Sequence, residues 1–382
     1  MKTQTFGIEI ETTGLGRERA ARAIAAHFGT TPLYVGRHLD DWHVPMPDGR
    51  HWTVERDGSV TDPCAEVVSP VCRLEDIGMV QEVVRALRRA GAKADATCGI
   101  HIHVGLGQHT PASLRRLVNL VNAKEDLLTQ ALGISPGRRA RWCRPVNPEF
   151  LDELNRRKPD TMEALAQLWY RTNNGVRYTD WRRHAASHYD KSRYHLLNLH
   201  AAFSTERPAH TIEFRAFNGT LHAGEVKSYI QLCLAISHQA LTTKAASPTR
   251  PDTDNPKYTF RCWLLRLGFI GDEFETARLH LTKRLPGNAA WRQASCHTRL
   301  TMARRPRAET GTAGRGQPHT LSYQARRYTP CTSMTMTNAP TKNSSPRKRC
   351  RTACGSSSPT AMTARKSAGK TCGYRPTARL AS

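Results

Sequence analysis

Apolar and polar positions alternate in three short stretches set far apart: Phe6-Gly7-Ile8-Glu9-Ile10-Glu11, Gly99-Ile100-His101-Ile102-His103-Val104 and Thr211-Ile212-Glu213-Phe214-Arg215. A strand sends successive side chains to opposite faces, so this spacing predicts three strands, each with one greasy face. Ile8, Ile10, Ile100, Ile102, Ile212 and Phe214 would point one way. Glu9, Glu11, His101, His103, Glu213 and Arg215 would point the other. If the three share one sheet, the greasy face packs on helices and the polar face collects three carboxylates, two imidazoles and a guanidinium. Crowded carboxylates repel one another unless cations sit between them. The pattern therefore predicts a metal site built on a sheet.

Between these strands the period changes. After a turn at Thr12-Thr13-Gly14, Ala20, Ala21, Ile24, Ala25 and Phe28 recur at helical spacing over residues 16–28. Residues 31–70 read as short antiparallel strands, including Trp52-Thr53-Val54-Glu55 and Ala65-Glu66-Val67-Val68 on either side of a turn at Asp57-Gly58-Ser59. Helices are predicted over 74–90, stopped by Gly91, and over 111–132, opened by Pro111. Residues 140–190 read as a loop-rich, aromatic insertion or lid. Two further strands are expected at 194–200 and 210–217, joined by a polar turn at 204–208. A helix over 222–243, a Pro/Asp/Thr linker at 247–256 and an amphipathic stretch over 258–284 follow. Strand–helix–strand order with several hairpins predicts an α+β fold: a mostly antiparallel sheet with helices on one face and an open ligand-binding face.

Composition divides the chain. The formal charge is +25, but residues 293–382 hold 17 Lys and Arg against one acid, Glu309, and so carry +16 of it. That segment has no Val, Ile, Phe, Trp or Asp, and it cannot bury enough surface to offset its ordering entropy. The expected organisation is a folded domain over 1–292 and a basic, low-complexity, disordered tail over 293–382. Two origins for the tail stand open: a basic arm for nucleic acid or another anionic partner, or an out-of-frame or unselected extension. Six of the 11 cysteines precede residue 293, and none of those six forms a CxxC pair, which leaves a zinc finger without support. No secretory signal and no apolar run near 18 residues is visible, so a cytoplasmic protein without a membrane partner is expected.

Taken singly, the chemical motifs are ordinary. Glu-x-Glu is usually a solvated strand face, Glu213-x-Arg215 an ion pair, and Glu55 and Glu66 unexceptional acids. Together on one face they suit hard cations, Mg²⁺ or Mn²⁺, because carboxylates outnumber nitrogens. A zinc hydrolase would favour two or three histidines with one acid. Neither a Walker loop nor a Rossmann glycine fingerprint is present. Several acids and one Arg on an open sheet instead suit a metal-bridged nucleotide.

Five segments in order resemble the amidoligase family, carboxylate–amine ligases with a glutamine-synthetase-like sheet. They are Phe6-Gly7-Ile8-Glu9-Ile10-Glu11, Glu66-Val67-Val68-Ser69-Pro70, Cys98-Gly99-Ile100-His101-Ile102-His103-Val104, residues 193–198, and Thr211-Ile212-Glu213-Phe214-Arg215 through Gly219-Thr220. The resemblance runs from residue 5 to about 292. It implies an enzyme dependent on ATP and Mg²⁺ that joins a small-molecule or peptide carboxylate to an amine through an acyl phosphate. It further implies that Glu9, Glu11, Glu66 and Glu55 hold metals, with Asp57 an alternative to Glu55 in facing the pocket. His101 and Glu213 would bind the metal nearest the phosphates, and Arg215 would neutralise charge on the transferring phosphoryl group. His103, Arg193 and Asn198 would contact nucleotide or substrate. Two other readings stay open: a divalent-metal hydrolase using the same acids, and a nucleic-acid binder acting through the tail.

Overall fold

The computed structural model describes residues 1–205 and 210–292, which fall within one compact unit. The segment 293–382 therefore lies outside the described residues, as do positions 206–209 of the expected turn. Eight antiparallel strands form a single sheet in the order β2-β3-β4-β5-β1-β6-β8-β7. They are β1 (Phe6–Thr13), β2 (Leu33–Gly36), β3 (Asp41–Pro45), β4 (His51–Glu55), β5 (Cys64–Val68), β6 (Gly99–Gly105), β7 (Leu197–Asn198) and β8 (Thr211–Asn218). The three alternating segments are neighbours at its centre. Register places Glu9 opposite His101, Glu11 opposite Glu66, and His103 opposite Glu213. Directly opposed residues share a face, so the polar side chains form one floor.

The greasy face carries Ile8, Ile10, Ile100, Ile102 and Ile212, each 1 % exposed or less. It packs on helices α1 (Arg17–Phe28), α2 (Ile77–Arg89), α3 (Pro111–Leu132) and α9 (Ala223–Thr242). Full burial of such a side chain contributes about 1.5–3 kcal/mol, which makes the layer the main source of stability. Helix α3 begins where Thr110 caps the Ser113 amide and Pro111 supplies a preset φ. It stops at Gly133, whose φ of 64° is left-handed. A polar thread runs through this layer: His109 bonds Ser113 and Ser237, and Ser237 reaches Gln4. The 247–256 segment straps along α3, where Arg250 pairs with Glu125 and Asn122 donates to the Pro248 carbonyl.

Three local expectations change. Thr12 and Thr13 belong to β1, because Thr12 donates its hydroxyl to the Ala65 carbonyl and the turn begins only at Gly14. Residues 140–190 are mainly helical, contrary to the loop-rich reading. Helix α4 (Pro136–Arg141) precedes α5 (Pro148–Arg157), α6 (Met162–Asn174) and the short α7 (Trp181–Ala185). Asn147 and Thr161 cap α5 and α6, and Phe150, Leu154, Leu165 and Trp169 are core rather than lid. Finally, the strand expected over 194–200 shrinks to Leu197–Asn198, because the chain turns into helix α8 (His200–Phe203) as Asn198 accepts from the His200 amide. None of the described helices is long and apolar enough to cross a membrane.

Candidate metal centre

A cleft of roughly 720 Å³ opens over the polar floor and is lined by Glu9, Glu11, Glu55, Asp57, Glu66, His101 and Arg215, among others. His101 is the hub. Its Nδ1 lies 2.9 Å from Glu9 Oε2 and 3.9 Å from Glu213 Oε1, while its Nε2 lies 3.5 Å from Glu11 Oε1. Glu11 also accepts from the Gly99 amide, which fixes its carboxylate against the start of β6. Two triads have ligand atoms within 4.8 Å of one another: Glu9–His101–Glu213 and Glu11–Glu66–His101. A neutral imidazole offers one lone pair, so His101 can serve only one ion at a time. A second ion would rest on carboxylates and on oxygen atoms of a ligand.

The acids differ in charge state. Burial works against ionisation of Glu9, yet the charge of His103 and hydrogen bonds from His101 and His103 hold it well below the usual carboxylate range. Glu213 is likewise opposed by burial and held low, first by Arg215 and then by His103 and His101. Glu66 goes the other way. Burial and the charges of Glu9 and Glu11 push it well above its ordinary value. Register aligns it between Glu11 and Glu55, three acids abreast. A cation placed there would remove that repulsion, and an oxygen-rich set with one imidazole fits Mg²⁺ or Mn²⁺.

A bulge tunes the floor. Ile100 opposes Phe217 and Ile102 opposes Phe214, so one residue of β6, His101, faces two of β8, Arg215 and Ala216. The extra residue returns Phe217 to the greasy face while Glu213 and Arg215 keep the polar one. Arg215 bonds Glu213 Oε1, and Asn198 Nδ2 donates to Glu213 Oε2 at 2.6 Å.

Not every expected residue reaches the cleft. Glu213, His103 and Asn198 share the polar side of the sheet but do not line the opening. Glu213 is covered by Arg215 and Asn198, and His103 bridges Glu9, at 3.1 Å, and Thr211. Glu55 and Asp57 both line the cleft, and Glu55 belongs to neither triad. Arg193 lines it too, donating to the His188 carbonyl at 3.0 Å. Sequence reasoning missed Arg138 on α4 and Asp41 at the start of β3, both buried cleft residues. Their sequence signal is faint: Arg138 sits in a basic run that reads as a solvated face, and Asp41 in a hairpin.

An open antiparallel sheet whose floor gathers carboxylates, an imidazole and guanidiniums defines the class: a protein equipped to hold cations and anionic groups together. Residues 2–237 match the family described as "Putative amidoligase enzyme", and the chain belongs to that family. No curated protein matches the chain in sequence. Among solved structures, the complex between prokaryotic ubiquitin-like protein Pup and its ligase PafA is similar over 62% of this chain and 46% of that one, at 11% identity and a TM-score of 0.25. The chain thus spans under half the length of that neighbour, and so slight an overlay decides nothing about the site.

Proposed function

We propose that this protein is a carbon–nitrogen ligase that spends ATP, with Mg²⁺ or Mn²⁺, to join a carboxylate to an amine. The observation that carries the reading is the convergence of Glu9, Glu11, Glu66, His101 and Glu213 with Arg215 on one sheet face of an amidoligase-family chain. A carboxylate oxygen of the acyl substrate attacks the γ-phosphorus of ATP, the bond to the bridging oxygen breaks, and ADP leaves. The amine nitrogen then attacks the acyl carbon, phosphate departs with the electron pair, and the nitrogen loses a proton. Bound divalent cations would neutralise charge on the phosphate oxygens. Glu9, Glu11, Glu66, His101 and Glu213 would hold them, with Glu55 at the rim.

The remaining work belongs to this chain's own groups. Arg215 is held in place by Glu213 and presents its guanidinium toward the cleft as a fixed positive charge for the transferring phosphoryl group. Asn198 and His103 orient Glu213 and Glu9 from the side away from the opening. Arg193 stands at the wall for nucleotide or substrate contact. The substrates would be small-molecule or peptide carboxylates and amines.

The test is to screen amino acids, short peptides and amines for ADP release by the full chain with MgCl₂ and ATP. The reading expects release that requires a carboxylate and an amine together, with an amide as product. ADP release that needs neither, or amide cleavage without nucleotide, would replace it with a hydrolase.

A further inference from the structure

Arg138 is a buried cation without a salt-bridge partner among the described residues. It is 6 % exposed, yet among the described residues no carboxylate lies within 4.0 Å of its guanidinium. One terminal nitrogen makes two long contacts, 3.4 Å to His101 Nε2 and 3.4 Å to the Arg215 carbonyl, and its Nε makes none. Leaving a charge buried and unpaired is costly, and proteins retain one where a ligand completes the pair.

The chain makes room for this side chain. A Cβ at residue 99 would lie 2.0 Å from an Arg138 terminal nitrogen, so only glycine there lets the guanidinium cross the start of β6. Ser135 and Pro136 open α4, and Ser135 caps the Arg138 amide, which sets the side chain over the floor. One turn later the same helix end delivers Trp142, whose ring meets Tyr194 at 5.4 Å between centroids, and both line the cleft beside Arg138. The cleft thus holds both a planar double donor and an aromatic surface.

We propose that Arg138 is the recognition group for the carboxylate of the acyl substrate, with Trp142 and Tyr194 contacting the carbon chain behind it. The inference rests on the ligase reading for the identity of that anion. A guanidinium presents two parallel N–H groups that match the two oxygens of a carboxylate. Phosphate shares that chemistry, but Arg215 already presents a guanidinium above the metal-holding acids. Trp142 and Tyr194 line the same cleft, with the Arg215 guanidinium 5.8 Å from the Tyr194 ring centre, so an anion with a carbon chain finds aromatic surface there, and the glutarate and phosphate probes separate the two anions. In the ligand-free protein the site pays the desolvation penalty, and the substrate carboxylate removes it.

The experiment uses the full chain and three probes: glutarate, inorganic phosphate and MgADP. Thermal shift and titration calorimetry are run on wild type, Arg138→Gln and Arg138→Lys. Expected results are saturable stabilisation of wild type by glutarate, weakened about tenfold or more in Arg138→Gln and partly kept in Arg138→Lys. MgADP binding should be unchanged in both. Arg138→Gln without ligand should melt at or above wild type, because an unpaired buried charge is gone; a purely structural Arg138 would lower it. Glutarate binding unaffected by Arg138→Gln, or loss confined to phosphate, overturns the assignment. A wild type that binds glutarate through Arg138 but never binds MgADP sinks the ATP reading and leaves this one standing.

Discussion

The floor of the cleft holds Glu9, Glu11, Glu66 and His101 on strands, whereas its wall holds Arg138, Trp142, Arg193 and Tyr194 on a short helix and the segment that leads into β7. Floor side chains are locked by register: Glu9 faces His101 and Glu11 faces Glu66 across ladder pairs. Wall side chains are placed by caps and ring contacts, and guanidinium donors on both Arg138 and Arg193 are left unspent. The floor therefore has surplus negative charge and the wall surplus positive charge, each waiting for a different ligand. On the ligase reading, a metal-bridged anion lying between them would satisfy both. That division separates what should matter for turnover from what should matter for substrate affinity.

The largest effect should come from the floor. Glu11→Gln should cut ATP turnover on the order of 10²-fold or more with the fold intact, measured as ADP release alongside circular dichroism. Full activity in that variant would remove Glu11 from the ligand set. Acidification should break the wall next. His195 and His200, behind it, have values lowered to about 4 by burial, as does His109 in the helical layer. The unfolded chain binds their protons near pH 6.5, so between about 6.5 and 4 it is favoured by protonation. Their stability contribution is complete above 6.5 and lost as pH falls toward 4, on the order of 1–2 kcal/mol each by pH 5. Denaturant melts at pH 7 and pH 5 of Glu66→Gln, which removes the opposing contribution of Glu66, check this; equal midpoints would contradict it.

The same contrast explains what could be read from the chain. The floor was legible because a period of two assigns faces without tertiary knowledge: Glu9, Glu11, His101 and Glu213 follow from Ile8, Ile10, Ile100 and Ile212. The bulge opposite His101 was not, since strict alternation puts Phe217 on the polar face with Glu213 and Arg215 until the extra residue is seen. The wall was hidden for another reason. Arg138 is informative only through Gly99, 39 positions earlier, and no local pattern links the two. The aromatic 140–190 stretch invited a lid reading because large rings were visible and their helical partners were not. Capping at Asn147 and Thr161, with apolar spacing at Phe150 and Leu154, was the overlooked signal.

Two smaller effects sharpen the comparison. Gly99→Ala should displace the Arg138 guanidinium and weaken glutarate binding about tenfold, as Arg138→Gln does, while leaving metal uptake by Glu9 and its neighbours in place. Calorimetry on both ligands checks it, and equal glutarate affinity in wild type and variant would uncouple the wall from β6. Glu66→Gln should raise the melting temperature of the metal-free protein by on the order of 2–4 °C for each kcal/mol of repulsion relieved. Because the folded value of Glu66 lies above its unfolded one, the wild-type protein should gain the same stability as pH falls and Glu66 takes up a proton. A lower melting temperature in Glu66→Gln would show that the carboxylate makes a contact worth more than the repulsion it suffers.

The central claim is that the sheet floor is a divalent-metal centre, and Mn²⁺ titration of the full chain, followed by electron paramagnetic resonance with and without ADP, tests it most directly. The account predicts saturable Mn²⁺ uptake, strengthened by ADP and lost or sharply weakened in Glu11→Gln and His101→Ala. Mn²⁺ that stays free at all concentrations, or uptake identical in wild type and both variants, would contradict it.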